Sequence, residues 1–234
     1  MTAGAGPDWF NRAIGYPYDI RPVPFLFRPG GIAPLPDGWR PHAGLTPVLA
    51  VGSNRAPAQL ARKYAGWGQD LSIAVTVADV TDHDVVYSAH FTRYGSLPAR
   101  LMERSGVRVQ VGITWLSPRA LTHMHTTEGA ANYRFQMTNA LPVNDTTVGQ
   151  IKVIGHYQGR HPPLTCDDRP VALAAAPAVG RQDPALGQHA ALTLARDRLA
   201  PDASLTAFVQ HLIACPVTRQ QRTHRLQAAE RPRS

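Results

Sequence analysis

Two groups far apart in this chain have the residue types to do chemistry together. The first is Gly52-Ser53-Asn54, within the stretch Val48 to Leu60. An apolar run ends there and an Ala- and Leu-bearing segment begins, which predicts a strand, a tight turn and a helix. Such a turn displays backbone N–H groups near a helix N-terminus, where a carboxylate or phosphate can be held. The plain alternative is an ordinary junction, with Gly52 for the conformation and Asn54 for capping. The second group is Glu128, in MHTTEGAANYRF. The only other glutamates are Glu230, in the polar tail, and Glu103, expected in an exposed turn of LMERSGVRV. If a glutamate does chemistry here, elimination leaves Glu128. Its alternative is a helix-end carboxylate with local hydrogen bonds, although a helix C-terminus disfavours negative charge. Its neighbours in the chain are apolar and aromatic apart from Arg134.

Other chemistries fit less well. His123 and His125 are two apart, so on a helix they do not share a face, and no second cluster has ligand spacing. No metal site and no cofactor are expected. Ser53 lacks the Gly-x-Ser-x-Gly elbow and an assignable base. Cys166 and Cys215 form neither a disulfide framework nor a metal motif, which fits a reducing cytoplasm. The net charge of +8 is carried almost wholly by arginine, since Lys63 and Lys152 are the only lysines. Those arginines are dispersed, and their densest group is Arg219 to Arg233, which argues against a nucleic-acid surface. No apolar run is long enough to span a bilayer, and the first residues lack the basic-then-apolar order of a secretory leader.

The elements that must position these groups can be read in order. Residues 1–44 are rich in Pro, Gly and aromatics (Trp9, Phe10, Tyr16, Tyr18, Phe25, Phe27, Trp39), which predicts an extended arm. That arm either covers apolar surface or forms a lid over a pocket. Residues 47–51 read as a strand, and Pro57 opens a helix to about Tyr64, stopped by Gly66 and Gly68. Leu71 to Val80 and Val85 to Phe91 read as two strands around an Asp82-His83-Asp84 turn. Val107, Val109, Val111, Ile113 and Trp115 alternate at period two, placing one face of a strand inward. Ser117-Pro118 is a cap followed by an N1 proline, and the helix it starts ends near Gly129. Asn132 to Met137, Gln150 to Tyr157 and Val171 to Val179 read as further strands. Helical patterning follows from about Pro184 and ends at Pro216, leaving 218–234 as a polar, frayed tail. Short strands mixed with isolated helices fit an α+β fold built on a mixed or barrel-like sheet with C-terminal helices.

Strand–Gly52-Ser53-Asn54–helix, then Gly95-Ser96-Leu97-Pro98-Ala99, then a strand and helix leading to Glu128-Gly129 and Tyr133, resembles the gamma-glutamylcyclotransferase-like family. The resemblance covers roughly Pro47 to Gly159. It implies a small barrel-like α+β domain with a cavity, over residues 45–180. The arm of residues 1–44, C-terminal helices at 181–217 and the tail at 218–234 lie outside it. The implied activity is acyl transfer within a gamma-glutamyl amine or amino acid, releasing 5-oxoproline by a lyase-like cleavage. Glu128 would be the general acid/base. Val51, Gly52, Ser53 and Asn54 would bind this small-molecule substrate, with Tyr133 and Tyr157 beside the pocket. The sequence departs from the family at Val51, where the hallmark loop carries tyrosine. A non-catalytic member that binds a small ligand or a protein partner is the alternative.

Overall fold

The computed structural model describes residues 7–230. Its spine is an antiparallel hairpin of two long strands, β4 (Ile73–Tyr87) and β5 (Ala99–Leu116), numbered after three earlier strands: β1 (Phe25–Arg28), β2 (Gly31–Pro34) and β3 (Thr46–Ala50). The hairpin register runs from Ala74 opposite Trp115 to Tyr87 opposite Ala99. β3 lies antiparallel on the free edge of β5, pairing Thr46 with Leu116 and Ala50 with Gly112. Beyond it, β9 (Ile154–Gly159) runs parallel to β3, and β6 (Tyr133–Thr138) closes the series antiparallel to β9. β1 and the short strand β7 (Val143–Asp145) add to β4, and β8 (Gly149–Ile151) pairs with β7. The sheet is therefore mixed, and its strand order β4-β5-β3-β9-β6 does not close into a barrel among the described residues. The fold is α+β.

The sheet buries both faces. In β4, Ile73 and Val75 join one apolar cluster while Ala74, Ala78 and Val80 join the other, as the alternating pleat requires. The first cluster packs the sheet against α2 (Pro57–Lys63) and α3 (Pro118–Thr127) through Leu60, Tyr64, Ala120 and Met124. The larger one gathers α1 (Asp8–Ile14), α4 (Gln188–Leu199), α5 (Leu205–Ala214) and α6 (Pro216–Ala229) around Phe208, Leu192, Leu212 and Leu226. The alternating residues Val107 to Trp115 all lie buried on β5, as their period predicts.

Several elements differ from the expectation. Asp82-His83-Asp84 is a bulge inside one continuous strand. The register shifts between Thr81 and His83, Asp82 sits at φ 56°, and its carboxylate accepts from Gly106 N–H across the hairpin at 2.8 Å. A polar triplet reads as a chain reversal in sequence, but one left-handed residue is enough to insert an extra position into a ladder. Glu103 correspondingly lies within β5, opposite His83. Val171 to Val179 is broken into two-residue pieces, Ala172–Leu173 on β4 and Ala178–Val179 on β5. The arm is not wholly extended. Pro7 precedes α1, which holds no proline, and β1 enters the sheet with Phe25 and Phe27 buried. At the other end, residues 216–229 are helical where a frayed tail is expected. Leu226 is fully buried, and the Glu230 carboxylate meets Arg198 at 2.6 Å and accepts from Thr165 N–H at 3.0 Å. One buried apolar residue in an Arg- and Gln-rich stretch is too weak a stripe to read. Residues 231–234 lie outside the described residues.

Two buried histidines bear on stability. Burial, helped by nearby His161, pushes the His90 imidazole down to about 3, and burial with His83 and Arg100 pushes His156 down to about 4. Both are neutral in the fold at neutral pH. The unfolded chain takes up these protons near 6.5 and the folded one does not, so stability falls with pH from 6.5 toward 4. Each histidine contributes a slope of up to about 1.4 kcal/mol per pH unit. Urea unfolding at pH 7, 6 and 5 is expected to show this decline, and His90→Gln to reduce its slope; equal slopes in the two proteins would refute the assignment. Leu226→Ala is expected to cost about 2–5 kcal/mol of unfolding free energy, where a frayed tail would give no change.

Candidate active site

The turn after β3 and the end of α3 meet at one cavity of about 470 Å³. The apolar run Val48-Leu49-Ala50 is buried in the sheet and delivers Gly52 to its edge. Ser53–Arg55 then form a single 3₁₀ turn, and Pro57 starts α2. α3 starts at Ser117, whose side chain accepts from Ala120 N–H, and stops where Gly129 turns left-handed at φ 65°. Glu128 is the residue between helix and glycine. The expected residues Val51, Gly52, Ser53, Asn54, Glu128, Tyr133 and Tyr157 all line the cavity.

Glu128 does not sit in apolar surroundings. Asn54 Nδ2 donates to its Oε1 at 2.8 Å, and Lys63 Nζ, from the last turn of α2, donates to the same oxygen. Both side chains of the ion pair are largely buried, Lys63 at 8% exposure and Glu128 at 15%. The lysine lies 65 residues before the glutamate, so the neighbours of Glu128 in sequence give no sign of it. Lysine and asparagine together offset the cost of a carboxylate at a helix C-terminus. Glu128 Oε2 receives no hydrogen bond from any described residue.

The arm supplies a side chain that sequence reasoning missed. The Tyr16 hydroxyl accepts from Ala99 N–H at 2.8 Å, and the Ser53 N–H acts on the same oxygen. It packs so tightly over the loop that a Cβ on residue 52 would lie 2.1 Å from it, so any other residue there would displace the phenol. The phenol thus lies against the loop expected to face substrate. Burial raises the Tyr16 phenol well above its ordinary value, over the opposing effect of the Ala99 N–H. It remains a neutral donor, and no described residue accepts its proton. Tyr16 was legible only as one more arm aromatic. The loop gives no hint that a tyrosine from elsewhere covers it.

The remaining aromatics brace the walls. Tyr133 donates to Ala99 O at 3.2 Å, the other polar atom of the residue that Tyr16 engages. The Tyr157 hydroxyl pairs with His125 Nδ1 at 2.7 Å, and the Phe135 ring lies 4.6 Å from the same imidazole. Burial raises both phenols. His125 therefore serves Tyr157 and not Glu128, while His123 Nε2 bonds Lys63 O at 2.6 Å and ties α3 to α2.

No family model matches the chain, and no curated protein matches it. Similar solved structures include one described as a gamma-glutamyl cyclotransferase, 16% identical with a TM-score of 0.39, over 49% of this chain and 66% of that one. An uncharacterized protein from Homo sapiens is 14% identical with a TM-score of 0.40, over 49% and 66%. A protein from Arabidopsis thaliana, known from a solution structure, is 16% identical with a TM-score of 0.37, over 52% and 66%. The matched region spans just under two thirds of the length of each of those chains. The similarity concerns the fold alone and speaks to no residue or reaction.

Proposed function

We propose that this cavity closes a gamma-glutamyl amine or amino acid onto itself, releasing 5-oxoproline and the free amine. The observation that carries the reading is the state of Glu128. One carboxylate oxygen is fixed by Asn54 and Lys63, while the other receives no hydrogen bond from any described residue, and Glu128 lines the cavity. A carboxylate held rigidly by one oxygen, with a lone pair left over, is suited to taking and returning a proton. Glu128 Oε2 takes a proton from the substrate's α-ammonium. The amine nitrogen attacks the γ-carbonyl carbon, forming the new C–N bond of a five-membered ring. Glu128 returns that proton to the departing nitrogen as the old amide bond breaks, and the second proton shed by the ring nitrogen leaves with the amine, which is released as its ammonium. Intramolecular attack needs mainly orientation, since effective molarities can reach ~10⁵ M or more.

Negative charge that develops on the carbonyl oxygen needs a donor. The Tyr16 hydroxyl fits this role because its oxygen is held by the Ala99 N–H and its proton has no acceptor among the described residues. A phenol whose oxygen accepts hydrogen bonds is the more strongly polarised as a donor. In this reading Val51, Gly52, Ser53 and Asn54 shape the substrate's end of the cavity, and Tyr133 and Tyr157 wall it. Acyltransferase and lyase describe the two halves of the same step, and a reduced cytoplasmic setting suits the free cysteines. The chemistry calls for no metal or cofactor.

The ion pair also favours a second reading. Lys63 and Glu128 join the ends of α2 and α3, so the pair could serve only to hold the walls of a non-catalytic ligand site. Glu128→Gln separates the two. It is expected to lower kcat for 5-oxoproline release by about 10²–10⁴-fold, with substrate binding retained in calorimetry. Equal turnover in variant and wild type would sink the Glu128 assignment. Tyr16→Phe is expected to lower kcat by about 10²-fold with little change in KM; a change in KM alone would make Tyr16 a packing residue.

A further inference from the structure

The exposed end of the cavity carries charge that the cyclisation does not use. Four basic side chains, Arg12, Arg62, Lys63 and Arg93, line it against one acidic residue, Glu128, which Lys63 already engages. His90 and His156 are held neutral at neutral pH. Arg12 and Arg93 stand over the same ring, with their guanidinium carbons 4.2 and 5.4 Å from the Tyr94 centroid. Neither makes a hydrogen bond or ion pair with a described residue, and Arg12 Nε is buried without a partner. Arg62 stacks on Tyr18 at 4.2 Å and bonds only the neutral Gln59 Oε1. Arg181 with Asp84 and Arg198 with Glu230, by contrast, have carboxylate partners.

Holding two like charges over one ring, with no counter-charge, is unfavourable in the free protein. Stacking on tyrosine fixes each planar fork and lowers the entropy cost of ordering it, while the terminal N–H groups of Arg12 and Arg93 have no partner among the described residues. That is the arrangement of a preformed anion clamp, and guanidinium forks suit carboxylate and phosphate oxygens. Resting on the cyclisation reading, we propose that the amine half of the substrate carries two or more negative charges, as paired carboxylates or as a phosphate, gripped by Arg12 and Arg93 with Arg62 beside them. The gamma-glutamyl half then lies inward at Glu128 and Tyr16. The site would select against amides of neutral or basic amines.

Binding can be measured without turnover. Isothermal titration calorimetry with tricarballylate, inorganic phosphate and butyrate is expected to show a polyanion binding at least about tenfold more tightly than butyrate. Preference between the first two distinguishes paired carboxylates from phosphate. Arg93→Ala, at an exposed position that leaves the fold intact, is expected to weaken the polyanion about tenfold, the effect of losing one charge-assisted contact. Arg12→Ala should do the same, and Arg108→Ala, outside the cavity, should change nothing. Butyrate binding as tightly as the polyanions, or identical binding by wild type and Arg93→Ala, would overturn the proposal. Turnover of gamma-glutamylglutamate against gamma-glutamylbutylamine separates this from the underlying reading. Arg93-dependent polyanion binding without 5-oxoproline from any compound would remove the cyclisation and leave the clamp. Equal turnover of both compounds, unchanged in Arg93→Ala, would remove the clamp and leave the cyclisation.

Discussion

A carboxylate at the C-terminal end of a helix faces the negative end of the helix dipole and needs compensation. In this protein that requirement is met by Lys63 and Asn54, which converge on one oxygen of Glu128. The consequences spread outward from that point. Asn54 fixes the turn after β3, Lys63 fixes the end of α2, and Glu128 fixes the end of α3. Three loops that would otherwise be independent share one polar centre. The fold makes this possible by placing α2 and α3 on the same apolar cluster, where Leu60, Tyr64 and Met124 hold them together. Charge pairing then sets the fine geometry that packing alone leaves loose.

The arm completes the same centre from the other side. Tyr16 comes from outside the sheet, yet its hydroxyl rests between the loop and Ala99. β1 anchors the arm by pairing with β4, so the segment that carries Tyr16 is held at both ends, by α1 packing before it and by the sheet after it. This resolves the choice between a packed cover and a lid in a specific way. The arm packs, and in packing it contributes a wall of the cavity.

How much of this was legible depends on the range of the forces involved. Strand alternation at Val107 to Trp115, the Ser117-Pro118 helix start and the Gly129 stop are local rules, and each is visible in a few adjacent residues. The α+β class follows from such pieces. Asp82 misleads because a bulge and a turn draw on the same residue types, and only the partner strand decides between them. Leu226 misleads because it is the one buried residue of a helix that is otherwise mostly Arg, Gln and Thr. Within the site, Glu128 emerges from the scarcity of glutamate, and Gly52-Ser53-Asn54 from turn chemistry. Lys63 and Tyr16 do not emerge at all. Each acts across a sequence gap of many tens of residues, and nothing near either one records its partner.

Glycine at position 52 has a consequence beyond its own loop. Its missing Cβ is the space that the Tyr16 oxygen fills. Val51, the residue before that glycine, carries no hydroxyl, and Tyr16 brings one to the same loop from the arm.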